Sequence, residues 1–184
     1  ELVKNVVESG VLREDADHYS YAKQLPNLGL PNTLQDSLMA RLDRQGLAKR
    51  IAQRGAVIGR RFPHELIAAI CDLDGPQLRR SLDDLADAEL IFPRAGTPTV
   101  YEFKHALVQD AAYSTLLRAD RRALHARVAR VLEQTSPATV DTEPELLAHH
   151  FTEASLEREA IPYLLRAGQR AGTRAAHQQA VRYL

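Results

Sequence analysis

Apolar residues recur at helical spacing along most of this chain. In residues 32–46, for example, Leu34, Leu38, Met39 and Leu42 share one face, and Gly46 follows as a stop. The same spacing predicts further helices over residues 1–9, 47–58, 64–71, 77–88, 121–134, 143–154 and 157–172, with another beginning at Ala175. We interpret residues 135–142, which lack the spacing, as a linker. The pattern predicts a mainly α protein.

Short β-prone runs interrupt the helices. Residues 90–92 and 100–103 are rich in β-branched and aromatic residues and flank a loop of turn-forming residues, which predicts a hairpin. Tyr19 and Tyr21 alternate with polar residues and indicate another short strand. Three short helices followed by a hairpin is the order of a winged helix. We therefore expect a winged-helix module with a small β-hairpin, followed by an α-helical superhelix of tetratricopeptide type.

The pattern changes within residues 101–117, from strand alternation to helical spacing. We interpret this segment as a hinge between the winged helix and the helical arm, with His105 at the junction. A weak repeat supports the arm, because AIPYL at residues 160–164 resembles AVRYL at residues 180–184. Both ends of the chain lie in apolar helical faces, so we expect it to be part of a longer polypeptide.

Composition narrows the function classes. Lys plus Arg equals Asp plus Glu at 24 each, so no global positive charge would attract nucleic acid. A single cysteine, Cys71, excludes an internal disulfide and multi-cysteine zinc motifs. No apolar run approaches the roughly 20 residues that span a bilayer. We expect a cytoplasmic protein that does not bind membranes.

Motifs for catalysis are absent from the sequence. There is no GxxxxGK loop followed by Ser or Thr, so the chain lacks this means of holding a nucleotide triphosphate. The segment GAVIGRR at residues 55–61 makes Arg60 and Arg61 candidates for contact with a phosphate; the alternative is a helix end followed by two solvated arginines. His149 and His150 suggest metal ligands, but no third ligand is evident, so we predict neither a metal nor a catalytic site.

DNA binding is the alternative that a winged helix raises. The helix before the hairpin would enter the major groove. Here that segment carries two arginines against four carboxylates, a net charge of −2, which opposes binding to phosphates. The residues concerned are Arg79, Arg80, Asp83, Asp84, Asp87 and Glu89.

Four strings carry a resemblance to a known family. They are LPNTLQDSLMARLD at residues 30–43, GAVIGRRF at 55–62, FKHALVQDAAY at 103–113 and ELLAHHF at 145–151. Together they resemble the region after the nucleotide-binding core in signal-transduction ATPases with numerous domains, the STAND relatives of AAA ATPases. The most similar members join an adenylate/guanylate cyclase domain, an ATPase domain and tetratricopeptide repeats.

The resemblance implies a domain organisation and a nucleotide-sensing residue. Residues 1–46 would end the helical lid of the ATPase, residues 47–117 would form the winged helix, and residues 118–184 would begin the repeats. The motifs that bind ATP or ADP with Mg²⁺ would lie upstream, so this part would carry no cofactor of its own. His105 matches the histidine of the Met-His-Asp motif, which contacts the phosphate of bound ADP; Ala106 stands where that motif has aspartate.

The leading hypothesis is a non-catalytic regulatory and protein-interaction region of a STAND ATPase. Its partners would be the upstream ATPase domain of the same chain and proteins bound by the repeats. The alternatives are a DNA-binding winged-helix region of a transcriptional regulator and a helical scaffold without a switch.

Overall fold

The computed structural model describes residues 12–15, 18–21, 32–94, 96 and 99–173. The chain divides into two compact units, Glu1–Ser37 and Leu38–Leu184. In the first unit, β1 (Leu12–Asp15) and β2 (His18–Tyr21) pair antiparallel. The strand predicted at Tyr19 and Tyr21 is thus confirmed. The helix predicted over residues 1–9 lies outside the described residues.

The second unit begins within α1 (Asn32–Asp43) and continues as a winged helix. The order is α2, β3, α3, α4, β4 and β5, and β5 lies between β3 and β4 in an antiparallel sheet. These elements span Leu47–Ile58, Arg61–Pro63, His64–Ile70, Gly75–Asp87, Ile91–Arg94 and Val100–Phe103, respectively. The fold class predicted from the sequence, mainly α with a small β-hairpin, is therefore confirmed.

Local sequence accounts for several of these boundaries. Gly59, at φ 146°, ends α2 in a conformation that favours glycine and turns the chain into β3. The Asp74 side chain accepts a hydrogen bond from the backbone N–H of Gln77 at 2.7 Å, which caps the start of α4. Pro76 lies in the first turn of α4, where its missing N–H costs no intrahelical bond.

Only helices follow β5 in the described residues, and from here on the helical arm means all of them, starting at Ala106 rather than at residue 118. It consists of α5 (Ala106–Ser114), α6 (Arg118–Thr135), α7 (Pro137–Thr142), α8 (Pro144–Glu153) and α9 (Glu157–Thr173). The prediction of a linker over residues 135–142 is wrong, because α7 fills most of it. Pro137 sets the backbone angle of the first helical residue, and six residues are too few to show an apolar period. The second copy of the weak repeat and the helix predicted at Ala175 lie outside the described residues.

One hydrophobic core runs through the winged helix and the arm. It extends from Leu42 and Ile51 through Val128 to Phe151 and Tyr163. Polar contacts add to it. The Arg127 guanidinium on α6 binds both carboxylate oxygens of Asp72, at 2.7 and 3.0 Å. The Gln53 amide on α2 donates to the Thr115 hydroxyl at 2.9 Å.

The junction that the sequence pattern suggested as a hinge is packed. Val108, Ala111 and Ala112 on α5 are all buried, and α5 packs along α2. Moving the arm independently of the winged helix would expose these residues to water, so the junction does not have the character of a free hinge. Over the described residues, no helix combines the length and the apolar character that crossing a membrane requires.

Candidate functional site

His105 lies where β5 passes into α5. It is the N-cap residue of α5, with an extended backbone, and its side chain makes no capping hydrogen bond. The imidazole is exposed to solvent. Lys104 fixes the backbone just before it, because its N–H donates to the Leu90 carbonyl at 3.0 Å and its ammonium pairs with Glu89 at 3.0 Å. His105 is therefore an accessible imidazole at a well-fixed position.

Arg60 and Arg61 converge on a buried carboxylate, Glu102. Arg61 and Glu102 are register partners on β3 and β5, and the Arg61 Nε–H lies 3.0 Å from Glu102 Oε2. Arg94, on β4, approaches the same oxygen at 2.5 Å, and Arg60 lies 3.5 Å from Oε1. Burial opposes ionisation of Glu102, but hydrogen bonds from Arg94 and Arg61 outweigh it and lower the pKa below its usual range.

This arrangement was not foreseen from the sequence, which suggested either a phosphate contact or two solvated arginines. Three guanidinium groups against one carboxylate leave two positive charges in surplus. All three side chains are about half exposed. Phe103 N–H donates to the Arg60 carbonyl at 3.0 Å, so Arg60 and His105 lie on neighbouring segments. Strand pairing, rather than sequence proximity, brings these groups together.

The exposed face of α4 is acidic. Its charged residues are all exposed and carry a net charge of −2: Arg79, Arg80, Asp83, Asp84, Asp87 and, in the turn after the helix, Glu89. Glu89 takes an unusual backbone conformation, with φ 54°, and its carboxylate pairs with Lys104 at 3.0 Å. The helix that would enter a DNA groove therefore presents carboxylates to solvent.

A histidine cluster lies where α6 and α8 pack together. His125 of α6 and His150 of α8 are buried, and their Nδ1 atoms are 2.9 Å apart. His149 is exposed beside them. On the other side of the His125 ring, Nε2 lies 3.1 Å from the Tyr113 hydroxyl on α5. Sequence analysis singled out His149 and His150 but missed His125, because helix packing alone brings residues 25 positions apart into contact.

Burial keeps the two inner imidazoles neutral. It lowers the pKa of His125 to about 4 and that of His150 to about 3, and neighbouring histidines add to both effects. Among the described residues, the buried Nε2 atom of His150 has no hydrogen-bond partner. Such an atom typically costs about 1–3 kcal/mol of stability. The cluster therefore contains one ring nitrogen that no described protein group pairs with.

A cleft of about 420 Å³ opens beside the cluster. It is lined by the end of α2, by residues of α5, and by His125 and His149. Asp110 and Glu153 also line it. His149 and Glu153 are four residues apart and share a face of α8.

Comparisons with known proteins give one relative. No protein-family model matches the chain, and a search of solved structures gave no match. The chain is similar to an uncharacterized protein of Rhizobium meliloti (strain 1021), with 29% identity over 156 residues. The similarity covers 83% of this chain but 15% of the relative, so the chain spans a small part of that protein's length.

Proposed function

We propose that this chain is a non-catalytic regulatory and protein-interaction module of a STAND ATPase. It couples the nucleotide state of an ATPase core, located upstream in the same polypeptide, to the binding of a protein partner. The order of helices and strands supports this role. The relative does too, because the similar region there belongs to a much longer protein. Since ATP and ADP are cytoplasmic ligands in such proteins, we place it in the cytoplasm.

The observation that carries the proposal is the continuous core between winged helix and arm. A switch needs an element that transmits a displacement at one site to a second site. Here His105 caps the start of α5, and α5 buries Val108, Ala111 and Ala112. A shift of the winged helix against the ATPase core would therefore move the arm with it.

The position of His105 suits contact with nucleotide. Its imidazole is exposed and makes no capping bond, so it is free to donate to a phosphate held by the preceding core, where ATP or ADP binds with Mg²⁺. The surplus charge of Arg60 and Arg61 lies on the neighbouring segment and favours an anion. Both features agree with the resemblance, although Ala106 replaces the aspartate of the family motif.

Proteins fit better than DNA as partners of this module. The acidic face of α4 would meet the phosphates of a major groove with the wrong sign of charge. On the arm, Ile161 and Leu165 are four residues apart on α9 and about half exposed, at 52% and 47%. Apolar side chains of this kind contribute to protein interfaces.

The decisive experiment measures ADP affinity in the longer protein that joins the ATPase core to this chain. Replacing His105 by alanine should weaken ADP binding about 10-fold, since a hydrogen bond to a charged group contributes about 1.5–3 kcal/mol. Ser114→Ala is the matched control. Ser114 lies at the end of the same helix, is exposed, and donates locally to the Ala111 carbonyl. Equal ADP affinity in the wild type and His105→Ala would leave the chain a scaffold without a nucleotide sensor.

Two measurements on the 184-residue chain test the rest of the proposal. We expect no ATP hydrolysis and no cyclase activity, and reproducible turnover of either kind would contradict a non-catalytic role. We also expect no shift of duplex DNA at low salt and micromolar protein. A shift that disappears as salt is raised would instead favour the transcriptional regulator.

A further inference from the structure

Three imidazoles already lie at the spacing of metal ligands. One ring nitrogen each of His125, His149 and His150 lies within 4.8 Å of the other two. The ring centroids are 5.1, 5.3 and 5.6 Å apart. On a tetrahedral zinc ion with Zn–N bonds of about 2.0–2.1 Å, three imidazole centroids would be separated by about 5.2 Å. The ring spacing matches this arrangement, and binding would draw the ligand nitrogens to about 3.3 Å from one another.

The hydrogen bonds of the cluster leave capacity for a ligand. His125 Nδ1 and His150 Nδ1 share one hydrogen bond, so one nitrogen must hold the proton and the other must accept it. In either case no described residue pairs with His150 Nε2. Buried histidines that serve packing alone normally have both ring nitrogens paired. The unpaired Nε2 atom of His150 is the position that would hold the ring's proton while Nδ1 binds an ion.

We propose that His125, His149 and His150 bind a divalent transition-metal ion of the zinc class at the contact between α6 and α8. Imidazole nitrogen is a preferred ligand of these ions. The ion would replace the hydrogen bond between the two inner rings. The proton of that bond moves to the other nitrogen of its own ring, so both imidazoles remain neutral and no oxidant or acid is consumed.

The surroundings suit a cation. Asp110 and Glu153 line the cleft beside the cluster. Because His125 and His149 line the cleft, water could take the fourth coordination position, with the Glu153 carboxylate as a nearby negative charge. The Arg121 guanidinium lies over the Tyr113 ring at 4.8 Å, but two of its nitrogens are held by the backbone carbonyls of Leu116 and Ser114.

Tyr113 would hold the ring nitrogen of His125 that does not face the ion. Its hydroxyl lies 3.1 Å from His125 Nε2 and can accept the proton of that nitrogen, which leaves Nδ1 to face the ion. Groups that hold the outer nitrogen of a ligating histidine orient the ring and strengthen binding.

Such an ion would join α6 to α8, which are in contact here and are separated along the chain by α7. It would stabilise the base of the arm next to the winged helix. The site uses neither His105 nor the arginines around Glu102, so it stands or falls independently of the regulatory role.

The test is a titration of the tag-free, metal-free 184-residue chain with Co²⁺, followed by displacement with Zn²⁺. We expect one equivalent of Co²⁺ to bind and to give the visible absorption of a tetrahedral site. Zn²⁺ should abolish that absorption and raise the Tm. His149→Gln should weaken Co²⁺ affinity at least about 10-fold, and Tyr113→Phe about 10-fold.

His64→Gln is the matched control, because His64 lies at the start of α3, outside the cluster, and its replacement should leave Co²⁺ affinity unchanged. His125→Gln should abolish binding but changes a buried position. His149 is exposed, so His149→Gln decides the question even if His125→Gln does not fold. The proposal is overturned if no saturable binding occurs, or if His149→Gln binds Co²⁺ as tightly as the wild type.

Discussion

Gly55, in α2, gives the sharpest test of how the winged helix is packed. A Cβ atom added at this position would lie 2.9, 3.0 and 3.2 Å from Cε1, Cζ and Cδ1 of Phe62. Phe62 is fully buried. Its ring stacks on Tyr101 at 5.8 Å and tilts against Phe103 at 5.4 Å, so it has no free space into which to move. We therefore predict that Gly55→Ala destabilises the protein.

The magnitude follows from two opposing effects. Alanine is favoured over glycine inside a helix by about 1 kcal/mol. Overpacking a close-packed core typically costs about 1–3 kcal/mol, and contacts shorter than 3.0 Å with a fixed ring belong near the upper end of that range. The net effect should be a loss of about 1–2 kcal/mol in the free energy of unfolding. For a unit of this size the Tm should fall by about 3–6 °C.

The assay is guanidinium denaturation followed by circular dichroism, with Gly172→Ala as the matched control. Gly172 is also helical, in α9, and a Cβ there meets no atom of the described residues within 4 Å. The same substitution should therefore stabilise slightly at Gly172 and destabilise at Gly55. Adding Phe62→Leu to Gly55→Ala should cost less than the two single changes together. A Gly55→Ala variant as stable as Gly172→Ala would refute the packing argument.

Two further predictions concern charge. Glu102→Gln should lower the Tm, because three arginines would lose their shared carboxylate. The fall in Tm should be smaller in concentrated salt, which screens the charges. As a control, replacing an exposed glutamate of α9 by glutamine should have little effect on the Tm. An unchanged Tm for Glu102→Gln at low salt would show that the arginines do not depend on Glu102. Stability of the metal-free chain, measured by urea denaturation, should fall on acidification by about 2–4 kcal/mol between pH 7 and pH 5. The pKa values of His125 and His150 in the folded chain lie below the ordinary 6.5, so the unfolded chain binds more protons than the folded chain as the pH falls. Glu153 opposes this shift at His125, and Arg121 and the neighbouring histidines reinforce it. A flat profile over that range would contradict neutral burial of both rings.

Local sequence predicted most of the elements, for reasons visible in particular residues. α2 begins at Leu47 and ends at Ile58 as predicted, because apolar residues repeat at helical spacing and Gly59 stops the helix. β3 escaped prediction, since three residues carry no period and Phe62 extends the sheet only once β5 is present to pair with it. The short α7 escaped for the same reason of length.

The candidate sites were also only partly predictable from the sequence. His105 stood out because its neighbours match a family motif, and the structure places it, exposed, at the start of α5. Its role toward nucleotide stays a prediction. Arg60 and Arg61 were predicted to contact a phosphate or solvent, and in the structure both pair with Glu102. The sequence did not indicate this partner, because it lies on another strand.

The sequence by itself determined the helical periodicity, the order of the winged helix, the balance of charge and the acidic character of α4. These are properties of residues close together in the chain, which local geometry converts directly into structure. Only the tertiary structure decided which distant groups meet. It brought His125 into contact with His150 and placed three arginines on one buried carboxylate. It also packed the segment that the sequence suggested as a hinge into a continuous core. Such contacts depend on how helices and strands pack, so they cannot be predicted from the spacing of residues along the chain.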